Sequence, residues 1–202
     1  MGKNDVWITK GFDGFREGTF GNAGQNLYVS RAGVLQRIYQ YDLNRNGYVD
    51  LVFCNDHDHG DKPPTYIYDD PFGSATRTEV PSDGSSTGAV ADLNGDGYDD
   101  LVLGMRGNGK REDLNAFVYY GSPDGLSERR QQLLPAPSCV SVAVGDFNGD
   151  GRPDLAFVCQ AWEGSHLPFK SDRFVRIFYQ SELGFEPKQY VDLEIAAWKG
   201  TG

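Results

Sequence analysis

The chain has 202 residues, 13% of them aromatic, and a formal net charge of −10. Such an acidic chain has no basic patch with which to displace the counterions of a nucleic acid, so we expect no nucleic-acid partner. No apolar run reaches the roughly 18 residues that a membrane-spanning helix needs, so we expect no membrane span. The length is sufficient to bury a sizeable core as one domain.

The first 33 residues do not hold a complete copy of the unit that repeats later in the chain. They contain two short runs typical of strands, VWIT and NLYVS, and we expect residues 1–33 to be strands of a preceding or incomplete element. The opening residues MGKNDV lack the apolar core of a secretory signal. We therefore expect any export signal to have been removed or to lie outside this sequence.

Three acidic loops then recur at nearly constant spacing. They read DLNRNGYVDL at 42–51, DLNGDGYDDL at 92–101 and DFNGDGRPDL at 146–155, so successive loops begin 50 and 54 residues apart. Each has oxygen-bearing side chains at positions 1, 3, 5 and 9 and a glycine at position 6. Ca²⁺ takes about six to eight oxygen ligands, and the glycine permits a sharp turn that directs the position-7 carbonyl inward. The pattern predicts three calcium sites.

The predicted ligands are the four side chains of each loop and the position-7 carbonyl. They are Asp42, Asn44, Asn46, Tyr48 and Asp50; Asp92, Asn94, Asp96, Tyr98 and Asp100; and Asp146, Asn148, Asp150, Arg152 and Asp154. We expect the first site to be the weakest, because its position 5 is an asparagine and affinity rises with ligand charge. An Asx-rich turn without metal is the alternative for each loop, since Asp, Asn and Gly favour turns in any case.

The residues around the loops predict strands and not the helices of an EF-hand. Position 12 is Phe53, Leu103 or Phe157, where an EF-hand needs a bidentate glutamate. β-branched and aromatic runs flank the loops, and two further strand-like runs follow each of them. These further runs are TYIYD (65–69), TRTEV (76–80), NAFVYY (115–120), RRQQLL (129–134), RFVRIFY (173–179) and KQYVDL (188–193).

Four short antiparallel strands per ~50 residues are typical of a propeller blade. The sequence therefore predicts an all-β fold, a partial β-propeller of about three four-stranded antiparallel blades, each with a calcium loop between its first two strands. Within a domain spanning 34–202, the blades are expected at about 34–83, 84–137 and 138–195.

The D-x-N-x-D/N-G-x-x-D-L loops, followed by a strand and then by YYGSPDGLS, resemble FG-GAP/VCBS repeats over about residues 34–193. The resemblance implies the calcium-binding propeller blades of integrin α-chains and of propeller lectins, which close into rings of more blades. Three blades alone would leave apolar surface at both ends of the array. We expect exposure at 34–41 and 190–195, unless the remaining blades of a longer chain or self-association cover these segments.

The connections between the second and third strands of each unit are long and unequal, and they lie at the end opposite the acidic loops. Long loops on a rigid scaffold are where binding usually resides. The candidate ligand residues in them are His57, His59, Arg106, Trp162, His166 and Phe169. The His57–His59 pair could form a further metal site or polar surface. The aromatic side chains of the third connection could stack on a sugar, anchor a protein or pack over the blade edge.

The cysteines indicate neither zinc nor a catalytic role. Cys54 and Cys159 both end the strand after an acidic loop, where a small buried hydrophobic residue is expected. Cys139 and Cys159 lie on the two strands of one hairpin, so a disulfide between them is geometrically feasible. No nucleophile elbow, H-E-x-x-H motif or phosphate loop occurs, and we predict no catalytic residues and no enzyme.

Calcium affinities of about 10⁻⁴–10⁻³ M suit modules outside cells. The sequence thus predicts a calcium-stabilised extracellular or cell-surface module for binding or adhesion. It would recognise a glycan or a protein through the loops opposite the calcium face. The alternative is a structural propeller segment that supports a larger surface protein or a polysaccharide-active enzyme.

Overall fold

The computed structural model describes residues 26–29, 35–41, 43–44, 50–55, 62–69, 76–107, 113–160 and 173–195. These residues form antiparallel strands and one 3₁₀ turn at Glu128–Arg130. The strands are β1 (Asn26–Val29), β2 (Leu35–Tyr41), β3 (Asp50–Asn55), β4 (Thr65–Asp69), β5 (Thr76–Val80), β6 (Ser85–Ala91), β7 (Asp100–Met105), β8 (Asn115–Tyr119), β9 (Gln131–Pro135), β10 (Cys139–Gly145), β11 (Asp154–Gln160), β12 (Arg173–Phe178) and β13 (Val191–Glu194).

The strands form three separate sheets in which neighbours in sequence are neighbours in space. The first sheet has the order β1-β2-β3-β4-β5, the second β6-β7-β8-β9 and the third β10-β11-β12-β13. All pairings are antiparallel, and the sheets do not close into a ring. This arrangement confirms the all-β, partial-propeller prediction of about three blades.

The first sheet differs from the prediction by one extra strand. β1 comes from the NLYVS run and pairs with β2 from Asn26–Ile38 to Val29–Leu35, so it extends the first sheet at its β2 edge. The VWIT run lies outside the described residues.

Two strands also begin later than expected. β9 starts at Gln131 because the preceding residues form the 3₁₀ turn. β13 starts at Val191, just after a turn in which Gln189 N–H donates to the Glu186 carbonyl.

Alternation along each strand divides the side chains between two cores. Val52, Cys54 and Ile67 of the first sheet pack against Leu101 and Leu103 of the second. The opposite face of the second sheet supplies a second core, in which its small and β-branched residues meet larger ones of the third. This second core includes Val102, Ala116, Val118, Leu155, Phe157, Phe174 and Phe178. The second sheet therefore presents one face to the first sheet and the other face to the third, as stacked blades do.

The close approach of the second and third sheets depends on a glycine. A Cβ at Gly104 of β7 would lie 2.5 Å from the Cys139 sulfur of β10. Ser86 Oγ of β6 donates a hydrogen bond of 2.6 Å to the carbonyl of the same cysteine. A larger residue at position 104 would push the two sheets apart.

The cysteines follow the sequence expectation of buried thiols. Cys54, Cys139 and Cys159 are all buried, and none of them forms a disulfide. Cys139 and Cys159 are directly paired between β10 and β11, so the predicted hairpin geometry is confirmed while the bond is not formed. Burial raises the pKa of the Cys159 thiol to about 12, which keeps it protonated at neutral pH.

The two ends of the array differ in exposure. At the far end of the third sheet, Tyr190, Val191, Leu193 and Ile195 are exposed, with Leu193 at 50%, and this confirms the expectation for 190–195. The side chains of 34–41 lie outside the described residues. However, Leu51, Phe53 and Tyr68, on the face of the first sheet turned away from the second, are all buried. Large apolar side chains are also exposed elsewhere in the described chain, at Tyr98, Leu133, Phe147, Tyr179 and Leu183.

Candidate metal centres

The three acidic loops join the first two long strands of each unit, β2–β3, β6–β7 and β10–β11. The second and third loops are described in full. In the first loop only Leu43, Asn44, Asp50 and Leu51 are described, so the predicted ligands Asp42, Asn46 and Tyr48 lie outside the described residues. The complete geometry of such a loop is therefore seen in the second and third loops.

The position-9 aspartates are buried anchors at the base of the loops. Asp50, Asp100 and Asp154 have no exposed surface. In each loop the backbone N–H at position 2 donates to Oδ2 of this aspartate, at distances of 2.8, 2.8 and 2.9 Å in chain order. The same bond in all three loops shows that the first loop shares this anchor with the others.

The second carboxylate oxygen of the anchor holds the end of the third strand of the sheet. Gly121 N–H donates to Asp100 Oδ1 at 2.7 Å, and Gln180 N–H donates to Asp154 Oδ1 at 2.9 Å. These anchors therefore fix the loop, the second strand and the chain after the third strand to one another. The loop motif indicates position 9 only as a metal ligand and gives no sign of this structural role.

Burial raises the pKa of the Asp100 carboxyl. The N–H donors of Gly121 and Leu93 act against this shift, whereas the negative charges of Asp96 and Asp92 add to it. A buried carboxylate beside two others is stabilised in its charged form by a nearby cation. The electrostatics of the second loop thus fit a cation at its centre.

The position-1 aspartates organise the turn itself. Asp92 accepts from Gly95 N–H at 2.8 Å and from Gly97 N–H at 2.9 Å. Asp146 accepts from the amides at the same two positions of the third loop. Gly95 and Gly97 have φ values of 72° and 90°, which favour glycine over other residues. The position-4 glycine was not singled out from the sequence, and the first loop has Arg45 there.

The position-5 aspartates lie at the exposed side of the loops. Asp96 accepts from Tyr98 N–H at 2.9 Å, from Asn94 Nδ2 at 3.0 Å and from Arg130 Nη2 at 3.1 Å. The backbone donor of Tyr98 contributes most to lowering the pKa of the Asp96 carboxyl. In the third loop, the Arg152 backbone N–H likewise lowers the pKa of Asp150. Both carboxylates are therefore charged at neutral pH.

The donor chemistry fits Ca²⁺, although the carboxylates already accept hydrogen bonds. At the predicted ligand positions, each of these two loops gathers three carboxylates and one amide oxygen within nine residues. Within the described residues, no group of three or more His, Cys, Asp or Glu side chains has a metal-holding arrangement. An ionised carboxylate offers about four acceptor positions, so oxygens that accept one amide can also ligate a cation. The loops have suitable ligands, and calcium binding stays a prediction.

Most of the candidate ligand residues at the opposite end lie outside the described residues. These are His57, His59, Trp162, His166 and Phe169. Arg106 is described and exposed, and its carbonyl accepts a hydrogen bond of 3.1 Å from Ser138 Oγ. Ser138 belongs to the connection between β9 and β10, so this bond confirms that the two connections meet at the end away from the acidic loops.

Comparison with known proteins identifies the repeats. The FG-GAP-like repeat profile matches residues 42–103 and 92–157, which together cover more than half of the chain. Integrin alpha-7 of Homo sapiens is 36% identical over 126 residues, covering 56% of this chain and 10% of that protein. Integrin alpha pat-2 of Caenorhabditis briggsae is 34% identical over 93 residues, covering 41% of this chain and 7% of that protein.

A third relative, integrin alpha-PS5 of Drosophila melanogaster, is 35% identical over 98 residues, covering 42% of this chain and 9% of that protein. The matching segments thus span a tenth or less of the length of these relatives. Across the residues that the structure describes, no helix is both long enough and apolar enough to pass through a membrane.

Proposed function

Because the chain belongs to the family of FG-GAP-like repeat proteins, we propose that it is a calcium-stabilised binding module that works outside the cell or at its surface. The observation that best supports this proposal is the recurrence of one loop structure in successive sheets. In the second and third loops, a buried aspartate and two glycine amides hold the carboxylates in the same arrangement. A bound Ca²⁺ would supply positive charge between these carboxylates.

Three ions are proposed, with the ligands that the sequence predicts in each loop. The second and third loops each offer three carboxylates, whereas the first offers Asp42 and Asp50 with Asn46 at position 5. Charge count tunes calcium affinity, so the first site should be the weakest. Millimolar calcium outside cells would saturate loops with dissociation constants of about 10⁻⁴ M or below.

Calcium would act on stability through its preference for the folded loops. A ligand at 100 times its dissociation constant stabilises the folded state by about 2.7 kcal/mol. For a chain of this length, such a change shifts the melting temperature by about 5–10 °C. The folded loop holds its carboxylates close together, and the unfolded chain does not, so the effect should be lost in chelator.

Substitutions at position 5 are expected to lower stability only in the presence of calcium. Asp96→Ala and Asp150→Ala each remove a charged ligand, and we expect each to lower the melting temperature in calcium by about 5–10 °C. In chelator the change should be small, because both side chains lie at the exposed side of the loop. Thermal melts in calcium and in chelator measure both effects.

Asn46→Ala is the matched control for these variants. It removes an uncharged ligand from the weakest of the three sites, so its shift in calcium should be the smallest. Equal shifts for all three variants would show that ligand charge does not rank the sites. Equal shifts in calcium and chelator would show that these residues act without metal.

We further propose that the ligand, a glycan or a protein, binds through the loops at the end away from calcium. The connections there follow β3, β7 and β11, and they include Arg106. Loops on a rigid scaffold can vary without disturbing the sheets that carry them, which suits recognition. The module is proposed to bind and not to catalyse.

The exposed apolar side chains at the end of the third sheet favour a second interpretation. In it, the chain is a structural segment of a larger surface protein. Val175 and Ile177 lie on the same face as Leu193 and Val191, their partners in β13. The corresponding face of the second sheet is covered by the third. We propose that a further sheet, from remaining blades or from a second copy, covers this face.

Association of the isolated chain is the expected consequence of that exposed face. Light scattering should show oligomers whose proportion rises with concentration, and a hydrophobic dye should bind to the dissociated chain. Leu193→Lys should reduce both signals, because it places a charge in the exposed apolar surface. A monomer that melts cooperatively and binds no dye would contradict this reading.

A further inference from the structure

A groove of about 940 Å³ runs between the second and third sheets at the end where the acidic loops lie. One wall comes from the chain around β9, and the other comes from the third loop and the segment after β12. Of the sixteen residues that line it, ten have polar side chains, including the acidic Asp92 and Glu182, and only Leu93, Pro153 and Leu183 have apolar ones. The groove therefore suits a ligand that makes many hydrogen bonds.

Hydrogen bonds between the two sheets hold the groove in a fixed shape. Gln180 Nε2 donates to the Leu93 carbonyl at 2.7 Å. Gln132 Nε2 donates to the Phe185 carbonyl at 2.6 Å, and its Oε1 accepts from the Tyr120 hydroxyl at 2.7 Å. A site that is already ordered loses less conformational entropy when a ligand binds.

Two arginines, one from each wall, line the groove. Arg130 uses Nη2 for Asp96, at 3.1 Å. Arg152 uses Nη2 for Asp150 at 2.6 Å and Nε for the Gln180 carbonyl at 3.1 Å. Among the described residues, Nε and Nη1 of Arg130 and Nη1 of Arg152 have no hydrogen-bond partner. Both side chains are about 40% exposed, so these donors are available to a ligand.

Gln180 adds a buried acceptor to the two sets of donors. The residue lines the groove and is only 7% exposed. Because Nε2 donates to Leu93, the orientation of the amide is settled, and Oε1 accepts no hydrogen bond from the described part of the chain. A buried acceptor without a donor is costly, and a ligand hydroxyl would remove that cost.

The arrangement combines donors for an anion with an acceptor for a hydroxyl. Guanidinium groups bind carboxylates through paired, charge-assisted hydrogen bonds. Peptide ligands depend on large apolar anchors, and the lining offers few surfaces for them. We propose that this groove binds an acidic saccharide, with its carboxylate on Arg130 and Arg152 and a hydroxyl on Gln180. This second site lies at the opposite end from the proposed ligand loops and does not depend on them.

The test is a calorimetric titration of the 202-residue chain in calcium-containing buffer. The probes are a hyaluronan hexasaccharide, which carries uronate carboxylates, and the same hexasaccharide with its carboxyl groups reduced to alcohols. We expect the acidic form to bind at least about tenfold more tightly. Arg130→Gln and Arg152→Gln should each weaken it by about tenfold, whereas Arg152→Lys, which retains the charge, should weaken it less.

Arg129→Gln is the matched control, since Arg129 is an exposed neighbour that does not line the groove. It removes the same charge and should leave the affinity unchanged. Melting curves check that the variants are folded. If Arg152→Gln does not fold, the affinity of the Arg130→Gln variant alone decides the test. Equal affinity for the two probes, equal losses in the Arg129 and Arg130 variants, or no binding at millimolar probe would overturn the proposal. So would preferential binding of a hexaglutamate peptide.

Discussion

Replacing Asp100 or Asp154 by alanine is expected to destabilise the folded chain by about 2–6 kcal/mol, even without calcium. Each carboxylate is fully buried and accepts two backbone N–H groups, from Leu93 and Gly121 in the case of Asp100. Alanine leaves both donors unsatisfied, at a cost of about 1–3 kcal/mol each. Denaturant titration in chelator measures the loss without a contribution from metal.

Two further substitutions separate this anchor role from a general effect of charge. Asp124→Ala removes an exposed carboxylate from the turn after β8 and should change stability by less than about 0.5 kcal/mol. Asp100→Asn keeps one acceptor but turns an amide donor toward the other N–H, so its cost should approach that of alanine. If Asp100→Ala were as mild as Asp124→Ala, the buried anchor would not support the loop.

Arg176→Ala is expected to cost about 3–5 kcal/mol, because it breaks a buried ion pair and leaves Asp192 without its partner. Nε and Nη2 of Arg176 donate to the two Asp192 oxygens, both at 2.7 Å. Nη1 donates to the Pro135 carbonyl of the second sheet at 2.7 Å, and the guanidinium carbon lies 3.8 Å from the centre of the Tyr190 ring. One side chain thus joins β12, β13 and the neighbouring sheet.

The pair Arg77–Glu79 of β5, which is more exposed than Arg176–Asp192, is the control for this prediction. Its ion pair is also 2.7 Å long, but the glutamate side chain is 49% exposed and that of Asp192 is 15% exposed. Arg77→Ala should cost about 1 kcal/mol or less, since surface pairs contribute little. Replacing Arg176 and Asp192 together by Met and Leu should cost less than either single alanine substitution. Equal losses for Arg77→Ala and Arg176→Ala would contradict the assignment.

Local patterns in the sequence predict much of the fold. The predicted strands TYIYD and TRTEV have the same bounds as β4 and β5, because alternation and the adjacent turn residues act within a few positions. The loop motif likewise predicts the turn, since aspartate and glycine at positions 1, 4 and 6 form bonds within a single loop. Short-range chemistry determines these features, and so a single sequence reveals them.

Contacts between distant segments could not be predicted in the same way. The pairing of β1 with β2 depends on which strand edge is free after the first sheet forms. Arg130 reaches Asp96 across 34 positions, and Gln180 reaches Leu93 across 87. No short-range spacing in the sequence indicates contacts between residues that are so far apart along the chain. The groove between the second and third sheets arises only from such long-range contacts, and none of its arginine or glutamine side chains was identified as a groove residue from the sequence.

The central claim is that the acidic loops bind calcium and that calcium stabilises the fold. Its most direct test is calorimetric titration of the chelator-treated chain with Ca²⁺, followed by a thermal melt at saturation. We expect three bound ions, one for each acidic loop, with the first loop binding last, and a melting temperature higher than in chelator. No calcium uptake, or the same melting temperature with and without chelator, would contradict it.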